Sequence, residues 1–160
     1  MAAYYLAHCA LDGISGHDAG RRLLHALWQT HVGGDLPPIA IAERGKPYFT
    51  ESGWFFSISH TKKHAFCALS ERPIGLDAEE ADRNIDLRLA EKILSANEKS
   101  QFDRASDKPE ALLKFWVLKE AAAKCTGEGL RGYPNHTDFD LADSRVKRID
   151  GCFVAVFTGG

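Results

Sequence analysis

The stretch from Trp54 to Glu79 constrains this chain most: its side chains alternate with a period of two, and short polar turns interrupt the pattern twice. Successive side chains of a strand point to opposite faces. Trp54, Phe56 and Ile58 therefore share one face, and Phe55, Ser57 and Ser59 the other. His60-Thr61-Lys62-Lys63 ends the run, and His64 to Ser70 makes a second strand. The short polar stretch between the two predicts a hairpin. Glu71-Arg72-Pro73 turns the chain again, and Ile74 to Glu79 makes a third strand.

Around this block the pattern mixes helix and strand. Tyr4 to Leu11 reads as a first strand. His17 to Thr30 reads as a helix, with Leu23, Leu24, Leu27 and Trp28 repeating at three and four, Asp18 near its start and Gly33-Gly34 beyond its end. After Pro37-Pro38, Ile39 and Ile41 alternate into a turn at Glu43-Arg44-Gly45-Lys46-Pro47, which leads to Tyr48-Phe49. The second half is more helical. Leu87 to Leu94 and Asn97 to Arg104 are short helical patterns, and Glu110 to Thr126 is a long one, with Pro109 in its first turn and Gly127 and Gly129 stopping it. Thr137 to Leu141 and Arg145 to Phe157 read as strands. The order predicts an α+β fold in two small halves, 1–72 and 73–160, meeting near Glu71-Pro73.

Composition narrows the class. A chain of 160 residues that is 44% hydrophobic and 26% charged is a soluble globular one. Its net charge of -2 gives no general attraction to nucleic acid or an anionic membrane. No apolar run approaches the roughly 20 residues that span a bilayer. Met1 to Leu11 has no Lys or Arg, so it lacks the basic start of a secretory signal. Cys9, Cys67, Cys125 and Cys152 form no C-x-x-C pair, which argues for reduced thiols in the cytoplasm and against a zinc knuckle. His60 and His64 have ligand-like spacing, but a strand–turn boundary between them would keep them off one face. No Gly-x-Ser-x-Gly elbow appears, and Cys67 reads as a core filler.

Two places put acids where a core belongs. In the third strand Asp77 and Glu79 share a face while Leu76 and Ala78 take the other. Two carboxylates a few Å apart repel and raise each other's pKa unless a cation neutralises them, and a hard ion such as Mg²⁺ would do so. A solvated acidic strand end, helped by Glu80, Asp82 and Arg83, explains the same spacing. In the long helix, Leu113, Trp116, Val117 and Glu120 form one stripe, with Lys124 a turn further on and Lys119 beside it. That Glu could line a cleft and complete a metal site while the ammonium meets a phosphate. An ordinary Glu-to-Lys helix pair, worth roughly 0.2–0.5 kcal/mol, fits the spacing as well.

Taken together, the segments resemble the 4′-phosphopantetheinyl transferase superfamily. The matching words, in order, are Gly45-Lys46-Pro47-Tyr48-Phe49, Phe56-Ser57-Ile58-Ser59-His60, Ile74-Gly75-Leu76-Asp77-Ala78-Glu79, Phe115-Trp116-Val117-Leu118-Lys119-Glu120-Ala121, then Lys124 and Gly127-Glu128-Gly129-Leu130. Asp18-Ala19-Gly20-Arg21-Arg22-Leu23-Leu24 is similar to an early helix of larger members, though less distinctive. The Gly-Lys-Pro and Ser-His words resemble the surfactin-synthetase-activating type, and the resemblance implies a compact member of it. The resemblance implies two similar α+β halves in one chain, a pseudodimer that acts as a monomer. It implies transfer of coenzyme A's 4′-phosphopantetheine arm to a serine of an apo acyl or peptidyl carrier protein, with release of 3′,5′-ADP. Carried over by position, Asp77, Glu79 and Glu120 are the implied Mg²⁺ ligands, and Glu120 the implied base, directly or through metal-bound water. Lys124 and Lys119 would approach the phosphates, Lys46, Ser59 and His60 the coenzyme, and Arg21 a phosphate.

Two departures bear on the expectation. Ala78 replaces the larger aliphatic residue usual between the acids, a packing difference on the face away from the metal. The family's early basic segment, which touches the coenzyme's 3′-phosphate, has no counterpart before Arg21. The rival readings are a catalytically weak carrier-binding relative and a Mg²⁺-dependent phosphodiesterase or nuclease. The intact Asp77, Glu79, Glu120 and Lys124 argue against the first. A helical Lys and the lack of a basic-aromatic stripe argue against the second.

Overall fold

The structure, a computed structural model, describes residues 4–127 and 137–159. Its elements follow as β1 (Tyr5–Ala10), α1 (Gly16–His31), β2 (Ile39–Ile41), β3 (Pro47–Phe49), β4 (Phe55–His60), β5 (His64–Ser70) and β6 (Ile74–Glu80). A single 3-10 turn (Leu87–Leu89) then leads into α2 (Ala90–Ile93), α3 (Ala96–Arg104), α4 (Lys108–Thr126), β7 (Val146–Ile149) and β8 (Cys152–Thr158). The fold is mixed α and β.

Two antiparallel three-stranded sheets carry it, ordered β1–β5–β4 and β6–β8–β7, with β2 and β3 a separate hairpin. In each sheet the first strand in the chain takes an edge and the last lies in the middle. The two-residue period then sorts side chains between layers. Phe56 of β4 and Cys67 and Leu69 of β5 pack with Leu24, Leu27 and Trp28 of α1. Phe66 and Ala68 turn the other way, onto Leu76, Ala78, Val154 and Val156 of the second sheet. On the far side of that sheet, Phe153 and Ala155 pack with Leu113, Val117 and Ala121 of α4. Burying each such large side chain contributes about 1.5–3 kcal/mol.

The helix ends carry the signals their sequence offers. The Ser15 hydroxyl accepts from the Asp18 amide at 3.0 Å to cap α1. Asp107 caps α4, Pro109 sits in its first turn, and Gly127, at φ 77°, ends it in the left-handed conformation that glycine adopts without strain. The pattern from Leu87 to Leu94 divides into the 3-10 turn and the short α2.

One expected strand is corrected. Thr137 to Leu141 forms no ladder, because α3 side chains take its backbone donors. The Phe139 amide donates to Glu98 Oε2 at 2.7 Å, and the Leu141 amide to Gln101 Oε1 at 2.8 Å. Glu128, Gly129 and Leu130, the end of the last family word, lie outside the described residues.

Candidate active site

The edge of β6 that faces away from β8 is where the family words meet. An open strand edge presents backbone groups that must find partners when buried. Here side chains supply them. Ser57 Oγ accepts from the Leu76 amide at 3.0 Å, and Ser59 Oγ from the Ala78 amide at 3.1 Å. Lys46 Nζ donates to the Ile74 carbonyl and Lys124 Nζ to the Leu76 carbonyl, at 2.7 and 3.0 Å. With Ser57 beside Leu76 and Ser59 beside Ala78, β4 and β6 run in the same direction, joined through serines instead of a direct ladder.

Gly75 sets the approach of α4. A Cβ there would collide with the Ala121 carbonyl and the Cys125 amide, so the helix backbone lies directly on β6. That contact brings Glu120 and Lys124 over the face carrying Asp77 and Glu79. Ala78 occupies the opposite face, in the core between the two sheets.

The electrostatics follow from this packing. Asp77 is only 7% exposed. Burial raises its carboxyl to about 7, against the pull of the Lys124 ammonium, and Glu120 and Glu79 push it further up. Asp77 Oδ1 takes the Lys124 ammonium at 3.2 Å and the Ser59 hydroxyl at 3.4 Å. Its Oδ2 is buried with no hydrogen-bond partner, a costly arrangement that a bound cation would relieve. Burial and Glu79 raise the Glu120 carboxyl, while Lys124 and Arg83 oppose them. Glu79 Oε1 accepts from Arg83 at 2.7 Å.

Glu79 also lines a cleft of about 890 Å³, whose walls include His60, Lys62, Lys63 and Arg83. His60 is exposed, and its ring lies against Gly16 so closely that a Cβ there would collide with it. Arg21 sits half-buried on α1. Other family-word residues lie elsewhere. Ser59 is buried at the β6 edge. Lys46 Nζ bridges the Ile74 carbonyl to the Lys124 carbonyl at the C-terminal end of α4, a favourable place for a cation. Lys119 does not reach the cleft. Its fully buried ammonium meets Glu98 Oε1 at 2.8 Å and donates to Thr137 Oγ1 at 2.8 Å.

Sequence reasoning missed two groups. The Glu98–Lys119 pair joins two helical patterns, and nothing in either marks a buried partner. The second is His64, Glu80 and Cys152, whose ligand atoms lie within 4.8 Å of one another. The ligand-like spacing of His60 and His64 is set aside at the strand–turn boundary between them, and no local signal links Cys152 to β5.

Residues 73–155 match the sequence model of the 4′-phosphopantetheinyl transferase superfamily. With its strand-borne acids and helical Glu–Lys pair in that segment, the chain belongs to this superfamily. Its curated relatives are of the Sfp-like type that the Gly-Lys-Pro and Ser-His words resemble. It is 32% identical over 122 residues to 4′-phosphopantetheinyl transferase HetI of Nostoc sp., covering 70% of this chain and 52% of that protein. It is 36% identical over 92 residues to 4′-phosphopantetheinyl transferase Sfp of Bacillus subtilis, covering 55% of this chain and 40% of that one. For 4′-phosphopantetheinyl transferase psf-1 of Bacillus pumilus the match is 30% over 123 residues, 71% of this chain and 52% of the relative. The chain thus spans about half the length of these relatives, or less.

Proposed function

We propose that this protein transfers the 4′-phosphopantetheine arm of coenzyme A to a serine of an apo acyl or peptidyl carrier protein, leaving holo carrier protein and 3′,5′-ADP. The observation that carries the reading is the buried, partnerless Asp77 Oδ2 beside Glu79, Glu120 and Lys124, within the segment that matches the transferase superfamily. An all-oxygen donor set with one orphaned carboxylate oxygen suits a hard divalent cation such as Mg²⁺, and Asp77, Glu79 and Glu120 would hold it. When bound, the ion supplies neutralisation of the pyrophosphate charge.

The remaining work falls to the chain. Lys124, held beside Asp77, presents its ammonium to the phosphates. Glu120 stands on a rigid helix with its carboxyl raised by burial, which suits it to take the proton of the carrier serine. The serine oxygen then forms a bond to phosphorus as the bond to the 3′,5′-ADP oxygen breaks, a displacement governed by positioning and charge. His60, Lys62 and Lys63 on the cleft wall, with Arg21, hold the coenzyme. Lys46 and Ser59 act as positioning residues, fixing the β6 edge so that Asp77 faces α4.

Residues 1–72 and 73–160 are, in this reading, two copies of one α+β unit in a monomeric chain. The shared strand order of the two sheets supports it. Four free cysteines support a cytoplasmic setting.

The test is intact-mass spectrometry with coenzyme A, Mg²⁺ and apo acyl and peptidyl carrier proteins. The expected result is a gain of about 340 Da on a carrier, the mass of the transferred arm. Unchanged mass on both carrier classes would remove the reading.

A further inference from the structure

His64, Glu80 and Cys152 form a cluster that the transfer reaction does not use. Glu80 and Cys152 stand opposite each other across the β6–β8 ladder, so their side chains share a face. His64 begins β5 in the other sheet. Glu80 Oε2 lies 2.9 Å from His64 Nδ1 and 3.2 Å from Cys152 Sγ, and Sγ lies 3.5 Å from Nδ1. The Thr61 hydroxyl also donates to Glu80 Oε2.

These edges come close to those of a tetrahedral zinc site. Zn–N bonds of about 2.0–2.1 Å, Zn–O bonds of about 2.0–2.2 Å and a Zn–S bond of about 2.3 Å require tetrahedral edges of about 3.4 Å for N···O and about 3.6 Å for both O···S and N···S. The two largest mismatches, about 0.5 Å on the N···O edge and about 0.4 Å on the O···S edge, both involve Glu80 Oε2 and close with a turn of its broad terminal torsion. Charge balances as well: a thiolate, a carboxylate and a neutral imidazole cancel a dication in a half-buried place. A thiolate and an imidazole select a borderline-soft ion, unlike the oxygen-only set at Asp77.

We propose that His64 Nδ1, Glu80 Oε2 and Cys152 Sγ bind one zinc-class divalent cation that clasps the two sheets at the wall of the cleft. On binding, the thiol releases its proton to solvent and the sulfur bonds the metal. Thr61 and Glu80 both line the cleft, so a fourth ligand, a water, reaches the ion from there. The inference rests on this geometry and not on the transferase reading.

The test uses the full chain, stripped with a chelator and titrated with Zn²⁺ and, separately, Co²⁺. Metal analysis after dialysis is expected to find one zinc per chain. Cobalt is expected to give a near-ultraviolet thiolate-to-metal charge-transfer band, which an oxygen-only site does not give. Cys152→Ser and His64→Asn are expected to lose the band and weaken zinc binding by at least about 100-fold, more than loss of an outer partner costs. Cys9→Ser is expected to keep both. His64→Asn leaves the buried thiol in place, so the test survives if Cys152→Ser misfolds. No retained zinc in the wild type, or a band that persists in either His64→Asn or a folded Cys152→Ser, overturns the proposal.

Discussion

Asp77 gathers opposing demands: Lys124 and Ser59 hold one carboxylate oxygen, and the other is buried without a partner. Burial lifts its titration from 3.8 to about 7. Between those values the folded chain keeps a proton that the unfolded chain has released, so the contribution to stability is present at low pH and lost as pH rises through about 7. Without metal, the wild type should therefore lose melting temperature relative to Asp77→Asn between about pH 5 and about pH 8, and Mg²⁺ should restore it at the upper end. Thermal melts in chelator check this, and a constant difference between the two proteins contradicts it. Glu120→Gln keeps the side chain's shape but removes both a ligand charge and the proposed base. Transfer should fall by at least about 10²- to 10⁴-fold with the fold retained, as read by steady-state kinetics beside circular dichroism.

At the scale of elements, the site depends on how closely α4 lies on β6. Gly75→Ala places a methyl group against helix backbone, which cannot yield as a flexible side chain does. The expected cost is about 1–3 kcal/mol or more, with transfer weakened in whatever protein folds; urea denaturation measures the first part. Lys119 belongs to a different contact. Lys119→Met leaves Glu98 buried without its cation, for a loss of about 3–5 kcal/mol. Unchanged stability with weakened coenzyme binding would instead return Lys119 to the phosphates. The sequence made much of this architecture legible. The two-residue alternation from Trp54 to Glu79 matches β4, β5 and β6, and Pro109 in the first turn and Gly127 at the stop match α4. The Thr137 to Leu141 segment was illegible because its donors go to α3 side chains some forty positions away, and strand propensity carries no trace of such partners.

Across the whole molecule, two sheets of the same strand order lie between α1 and α4, and the seam joins them through Ser57 and Ser59. Among the described residues no helix is long and apolar enough to cross a membrane. The nearness of Asp77, Glu79 and Glu120 was legible through the family words, since the backbone alternation and the helical stripe each offered an ordinary alternative. The division of labour within those words was not. The resemblance implies Lys46 and Ser59 on the coenzyme, and the structure adds that both side chains bond the open edge of β6, contacts visible only when that edge is in view. The most direct test is a Mn²⁺ titration followed by electron paramagnetic resonance on zinc-loaded protein, Mn²⁺ being a hard ion suited to carboxylate oxygens. One bound Mn²⁺ is expected in the wild type, with affinity at least about tenfold weaker in both Asp77→Asn and Glu120→Gln. Equal Mn²⁺ binding by all three folded proteins would contradict it.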